Sequence, residues 1–130
     1  VPNGMFVELP VVPGCIYTEP EIASVGLTET QAREKGVQIR VGRYDMKGNG
    51  QQIISRETGG FIKVIFAANS DVLLGAQIMC ARATDMIGEL ATALANGLTS
   101  TQLMYAMRAH PTFNEAISCA VENSRDNIKE

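Results

Sequence analysis

The sequence has no tryptophan and a single histidine, and charged residues make up only 19% of its 130 positions. Its 11 basic and 14 acidic residues are spread thinly, so the chain lacks the basic patch that binds nucleic acid or an anionic membrane surface. No apolar run approaches the roughly 20 residues of a membrane-spanning helix, and the N-terminus lacks the charged region of a signal peptide. We therefore expect no nucleic-acid or membrane partner and a cytoplasmic location, or an organelle matrix if a leader has been removed.

Cysteine is also scarce. Cys15, Cys80 and Cys119 lie far apart, and no Cys-x-x-Cys pair occurs. With one histidine in the chain, this pattern argues against a structural zinc site and against a local dithiol redox centre. We expect no metal site and reduced, buried thiols that behave as small hydrophobic side chains.

Glycine-rich loops that bind nucleotide phosphates are absent as well. The segment Lys47-Gly48-Asn49-Gly50 lacks the G-x-x-x-x-G-K-[ST] spacing, and no G-x-G-x-x-G fingerprint occurs. The segment predicts a turn. Because hydrophobic residues make up 45% of the chain and charge is scarce, the composition indicates a face that is buried against a partner.

Hydrophobic periodicity predicts strands first and helices afterwards. Residues 1–14, rich in proline and glycine, predict a linker from a preceding domain. The predicted strands are residues 15–18, 22–26, 37–46, 61–67 and 72–80, and the last two form a hairpin. The predicted helices are a short one from Thr28 to Gly36, Ala83 to Gly97, Thr99 to about Arg108, and a final helix after Thr112.

Strands followed by helices indicate the α+β class. We expect one antiparallel β-sheet with helices packed on one side, in a domain spanning residues 15–124, and a polar tail at 125–130 that frays. The helix at 83–97 and the final helix are expected to expose a surplus of apolar side chains. Such a surface is typical of an obligate two-fold interface.

The only histidine, His110, precedes Pro111 and lies five residues before Glu115. A histidine beside a carboxylate is a common proton-handling pair, because imidazole titrates near neutrality and the carboxylate fixes its tautomer. Thr112-x-x-Glu115 is equally a capping box, in which Glu115 would reach back to the amide of the cap residue. The spacing alone leaves both interpretations open, and the cap is the more common of the two.

Three stretches together resemble the dihydrolipoamide dehydrogenase family of pyridine nucleotide-disulfide oxidoreductases. Residues 17–29, which begin Tyr-Thr-Glu-Pro-Glu, are similar to the start of the family's interface domain. Gly75-Ala76-Gln77-Ile78 and the helix from Ala83 resemble its central strand and interface helix. Ala109-His110-Pro111-Thr112 with Glu115 resembles the family's active-site His-Pro-Thr-x-x-Glu. The similarity covers residues 12 to 124 and favours the catalytic interpretation of His110.

The resemblance implies an FAD/NAD-linked reductase dimerisation domain, which is the last part of a flavoprotein that reoxidises dihydrolipoamide. His110 would take a proton from a dihydrolipoamide thiol, and Glu115 would orient and stabilise the imidazole. Pro111 would follow a cis bond, and His110 and Pro111 would meet the flavin of the opposite subunit. FAD and NAD belong to the full-length parent. We expect neither to bind this fragment, which lacks the dinucleotide fingerprints and the redox-active cysteine pair.

The implied partners are a second copy in a homodimer, the FAD and NAD domains of the parent, and lipoyl domains of 2-oxo acid dehydrogenase or glycine cleavage complexes. The fragment alone should be inactive. Two alternatives stay open. The chain could be the interface domain of a glutathione reductase-like enzyme, although Ala116 stands where those enzymes usually carry an acidic residue, or it could be a non-enzymatic homodimerisation module.

Overall fold

The computed structural model describes residues 11–127. Within them, five strands form one antiparallel sheet in the order β1-β2-β5-β4-β3. The strands are β1 (Gly14–Ile16), β2 (Ile22–Gly26), β3 (Ile39–Asp45), β4 (Phe61–Ala67) and β5 (Leu73–Met79). The predicted α+β class and antiparallel sheet are confirmed, and the predicted hairpin joins β4 and β5.

Five α-helices accompany the sheet in the described residues. They are α1 (Glu29–Glu34), α2 (Gly50–Ile54), α3 (Ala83–Ala95), α4 (Ser100–Tyr105) and α5 (Glu115–Asp126). The sequence predicts only a turn where α2 begins, so this short helix is a correction. The helix α5 continues to Asp126, two residues into the predicted frayed tail. Residues 1–10 of the predicted linker and 128–130 of the tail lie outside the described residues.

The main core lies between one face of the sheet and the two long helices. The helix α3 packs on β2 and β5, and α5 packs on β3 and β4. Both helices present an apolar stripe at helical spacing, as their sequences predict. The buried side chains of this core include Ala23, Val25, Ile62, Val64, Ala76, Ile78, Met86, Ile87, Leu90, Ala116, Ile117, Ala120 and Val121.

The short helix α1 covers part of the opposite face. Side chains alternate along a strand, so Ile65 of β4 points away from the main core that contains Val64. Ile65 is fully buried, as is Ala32 of α1, and Glu29 of α1 forms an ion pair with Lys63 on the same side of β4. The predicted packing on one side therefore holds for α3 and α5, and α1 adds a small second layer.

Gly42 of β3 lets α5 approach the sheet closely. A Cβ atom at this position would lie 2.0 Å from the carbonyl oxygen of Ala120 and 2.7 Å from the Cβ of Ser124. Only a residue without a side chain fits such a contact. The helix that begins at Glu115 is thereby fixed against the strand.

The exposed apolar side chains are not where the sequence places them. The apolar residues of α3 and α5 are buried in the core, so the expected surplus on these helices is wrong. The large exposed hydrophobic residues are Val12, Ile16, Tyr17, Ile22, Ile53, Ile54, Tyr105 and Met107. They lie in or next to β1 and β2, on α2, and at or just after the end of α4. No helix in residues 11–127 is long and apolar enough to cross a membrane.

Candidate active site

His110 and Glu115 form a hydrogen-bonded pair at the start of α5. The Nδ1 atom of His110 lies 2.8 Å from Oε2 and 3.0 Å from Oε1 of Glu115. A carboxylate only accepts hydrogen bonds, so Nδ1 carries the proton and Nε2 of the neutral ring is left as the basic nitrogen. The His110 side chain is 76% exposed and that of Glu115 is 23% exposed. The ring is thus held from the protein side and presents Nε2 to a molecule outside the chain.

The capping box at Thr112 forms only in part. The amide of Glu115 donates to Oγ1 of Thr112 at 3.3 Å, and that hydroxyl donates to the carbonyl of Ala109 at 2.6 Å. The Glu115 carboxylate lies on His110, and no reciprocal bond to the Thr112 amide forms among residues 11–127. Thr112 therefore accepts one bond of the predicted box, whereas the Glu115 carboxylate bonds His110. The helix α5 itself begins at Glu115, with Asn114 as its N-cap residue.

The peptide bond between His110 and Pro111 is cis, as the resemblance implies. Both residues are exposed, and no donor in the described residues bonds the His110 carbonyl. This edge of the domain is accordingly open to another molecule.

Asn49 supports the segment that carries His110, a role that the sequence analysis missed. It is 2% exposed, and its Nδ2 donates to the Thr112 carbonyl at 3.0 Å. Its Oδ1 accepts from the amide of Gln52 at 3.0 Å and so caps α2. A Cβ atom on Gly50 would lie 3.7 Å from Cε1 of His110, which places the start of α2 directly against the ring. The Asn-x-x-Gln spacing is the signal that predicts this helix start.

Arg108 is the second supporting residue that the sequence analysis missed. Its side chain is 6% exposed, and its Nε donates to Oε1 of Glu89 at 2.9 Å. Its Nη1 donates to the carbonyls of Leu103 and Ala106, both at 3.2 Å, and to Oγ of Ser118 at 2.7 Å. The two carbonyl bonds satisfy the end of α4, which ends at Tyr105 and not near Arg108 as predicted.

Tyr44 and Cys119 are neutral neighbours of the pair. Burial raises the pKa of Tyr44, and the negative charges of Glu115 and Asp45 raise it further. Burial likewise raises the pKa of Cys119, with Glu122 and Glu115 adding to the effect. Both groups therefore stay protonated at neutral pH.

The described residues contain no group of three or more His, Cys, Asp or Glu side chains placed to hold a metal ion. The three cysteines are free, with Cys80 buried and the other two half-buried. Burial raises the pKa of Cys80 to about 12. A thiol with such a pKa is not a nucleophile at neutral pH.

Comparison with known proteins finds a matching family model and relatives that contain this domain. The family model described as "Pyridine nucleotide-disulphide oxidoreductase, dimerisation domain" matches residues 12–121. Dihydrolipoyl dehydrogenase of Bacillus subtilis is 40% identical over 111 residues, covering 85% of this chain and 24% of the relative. That of Rhizobium etli is 43% identical over 110 residues, covering 85% and 23%. The chain thus spans about a quarter of the length of these relatives.

Solved structures share the fold. The HOCl-induced flavoprotein disulfide reductase RclA from Escherichia coli has a TM-score of 0.82 and 26% identity, covering 91% of this chain and 26% of that chain. LpdA from Mycobacterium tuberculosis has a TM-score of 0.80 at 24% identity, covering 91% and 25%. The antiparallel sheet and its helices therefore occur as one part of larger disulfide reductases.

Proposed function

We propose, from the premise that the chain belongs to the pyridine nucleotide-disulphide oxidoreductase dimerisation-domain family, that it serves a dihydrolipoyl dehydrogenase by supplying an acid–base pair to the partner subunit's active site. The observation that carries this proposal is the 2.8 Å hydrogen bond between His110 and Glu115, made by an exposed ring at the edge of the domain. An imidazole used only for packing would be buried, whereas this one offers its basic nitrogen outward.

His110 would act on a dihydrolipoamide thiol. Its Nε2 takes the thiol proton, and the resulting thiolate attacks one sulfur of the enzyme disulfide and displaces the other sulfur as a thiolate. The imidazolium formed in this step carries a positive charge next to the Glu115 carboxylate, which stabilises it. The imidazolium then gives its proton to the displaced enzyme thiolate or to solvent. The neutral ring can now take the proton of the second thiol, whose thiolate attacks the mixed disulfide and releases the oxidised lipoamide. Glu115 keeps the same position throughout, because α5 is fixed on the sheet.

FAD and NAD would be held by other domains, because the sequence has no dinucleotide fingerprint. The bound flavin supplies the chemistry that carries two electrons from the enzyme dithiol to NAD. The residues present fit a contact at one edge of such a group, since His110 and Pro111 are exposed there and the His110 carbonyl has no partner in the described chain. Lipoyl domains of 2-oxo acid dehydrogenase or glycine cleavage complexes would bring the substrate, in the cytoplasm.

A homodimer is part of the proposal, because a histidine that serves the opposite subunit needs a two-fold contact. Tyr105 and Met107, 84% and 98% exposed, lie beside the His110 loop and are suited to such a contact. Sedimentation of the 14.0 kDa chain at micromolar concentration should show a dimer, and Met107→Lys should shift it towards monomer. A strictly monomeric chain would mean that self-association depends on other domains.

The catalytic proposal is tested in a chimaera, in which residues 12–127 replace the matching region of the Bacillus subtilis relative. His110→Gln should lower turnover of dihydrolipoamide by about 10² or more, the scale of general acid–base catalysis, at unchanged FAD content. Arg33→Gln, at an exposed position on α1, is the matched control and should keep full turnover. Unchanged turnover in His110→Gln would favour the dimerisation module, and the chain alone should form no NADH from dihydrolipoamide.

A further inference from the structure

The segment between α4 and α5, residues 106–114, contains no helix or strand and yet places His110 within 2.8 Å of Glu115. A connector of this kind does not define a side-chain position by itself, because its backbone has few hydrogen bonds of its own. Arg108 lies inside it and is almost fully buried. The hydrogen bonds of Arg108 can therefore fix the position of this segment.

The guanidinium of Arg108 joins three helices. It bonds Glu89 of α3, the two carbonyls at the end of α4, and Ser118 of α5. Ser118 follows Glu115 by three residues, so both lie on the same side of α5. Arg108 itself precedes His110 by two residues. One side chain thus ties the backbone that carries the histidine to the helix that carries the glutamate.

We propose that Arg108 is a positioning residue for the His110–Glu115 pair. By fastening the connector to α3 and α5, it holds the ring where Nδ1 meets the carboxylate and Nε2 faces outward. The consequence for catalysis rests on the function proposed above. The consequence for the geometry of the pair does not, and it is measurable on this chain alone.

The chemistry of arginine explains why this position needs it. A planar guanidinium donates in several fixed directions at once, whereas lysine places one compact charge at the end of a flexible stem. A methionine would fill the same space without burying a charge. The arginine has an energetic cost, because its Nη2 is buried without a hydrogen-bond partner in the described residues. What the arginine adds over these residues is therefore the set of directed bonds.

The single histidine makes the test direct. The imidazole ¹⁵N signals of the chain report which ring nitrogen carries the proton, with no other histidine to overlap. In the native chain the neutral ring should carry its proton on Nδ1, because Glu115 accepts it. In Arg108→Met and Arg108→Lys the ring should lose this bond and shift towards the Nε2–H tautomer of a free imidazole. The control Arg125→Met, at an exposed position near the other end of α5, should keep the native signals.

In the chimaera, Arg108→Met should lower kcat by on the order of ten- to hundredfold, the effect of a misplaced catalytic group, with KM and FAD content little changed. If the methionine variant does not fold, Ser118→Ala and Glu89→Ala each remove one partner of Arg108, and both should move the ¹⁵N signals in the same direction. Native signals in every folded variant would overturn the proposal. A changed tautomer in Arg108→Met together with full turnover in His110→Gln would keep the positioning role and overturn only the proposed function.

Discussion

The starts of α4 and α5 carry the same sequence pattern and use it differently. At α4, the amide of Thr99 donates to Oε1 of Gln102 at 2.9 Å, and the amide of Gln102 donates to the Thr99 hydroxyl at 3.2 Å. At α5, Thr112 accepts from the amide of Glu115, but the Glu115 carboxylate bonds His110 and not the Thr112 amide. The box at α1 closes in both directions, like the one at α4.

The difference between α4 and α5 lies in what precedes the box. The segment before Thr99 offers no base to the Gln102 side chain, whereas His110 lies two residues before Thr112 and bonds the Glu115 carboxylate. The helices also begin differently, because α4 starts directly after Thr99, whereas α5 starts at Glu115 with Asn114 as its N-cap residue. The same four-residue pattern is therefore structural at one helix and part of a candidate active site at the next.

Glu115→Gln tests the difference between α4 and α5 and is expected to have the largest effect on kcat. It gives α5 the box of α4 and removes the charge that stabilises an imidazolium, so kcat of the chimaera should fall by about tenfold or more. The free energy of unfolding of the chain should stay within about 0.5 kcal/mol, because an amide oxygen can accept a hydrogen bond from the His110 ring or from the Thr112 amide. The reverse swap, Gln102→Glu, should leave kcat unchanged. Full turnover in Glu115→Gln would show that the glutamate is only a cap.

The two threonines provide the second test. Thr99→Ala should cost about 1 kcal/mol of unfolding free energy, the usual value for a lost N-cap, and leave kcat alone. Thr112→Ala should cost a similar amount and also lower kcat, because its hydroxyl bonds the Ala109 carbonyl next to His110. Urea unfolding and turnover of the chimaera measure the two effects, and Thr→Ser at each position is the control that retains the hydroxyl. Equal kcat values for the two alanine variants would contradict the assignment.

Asp71 gives the smallest expected effect. Burial raises its pKa, but hydrogen bonds from Ser100, Thr101 and Arg40 outweigh burial and leave the pKa lowered. A lowered pKa stabilises the fold above the ordinary carboxyl pKa, and this contribution is lost as pH falls through the folded value.

Asp71→Asn should therefore destabilise the chain at about pH 7, and the difference from the native chain should shrink by about pH 3. The effect is modest because the side chain is 28% exposed and solvent screens it. Unfolding by urea at both pH values measures it, with Asp126→Asn, at an exposed position, as the control. A difference that stays constant with pH would rule out a charged Asp71 as the stabilising group at the start of α4.

Regular elements were predictable from the sequence where one physical signal dominated. Alternating or continuous apolar residues located β4 at its observed bounds, and the change to helical spacing placed the start of α3 at Ala83. The predicted helix starts at Thr28 and Thr99 were confirmed, and each carries a complete capping box, because that pattern is local and has no competitor nearby. His110 and Glu115 could be paired from their spacing, while their catalytic role stays a prediction.

The features that the sequence did not reveal depend on distant contacts. Asn49 and Arg108 look like ordinary polar residues, and their importance arises from partners that are 63 residues away at Thr112 and 19 residues away at Glu89. The early end of α4 also depends on Arg108, because its guanidinium donates to the carbonyls of Leu103 and Ala106. The exposed position of Met107 was equally hidden, because helical periodicity says nothing about a segment where the helix has already ended.

The contact between Gly42 and Ala120 has a consequence for how this protein tolerates mutation. A side chain at position 42 would push α5 away from β3 and carry Glu115, about 7.5 Å up the helix axis, away from His110. In a saturation library selected for activity, position 42 would then appear as intolerant as the histidine itself, although it touches no substrate. Such a library would identify a functional position whose only chemistry is the absence of a side chain.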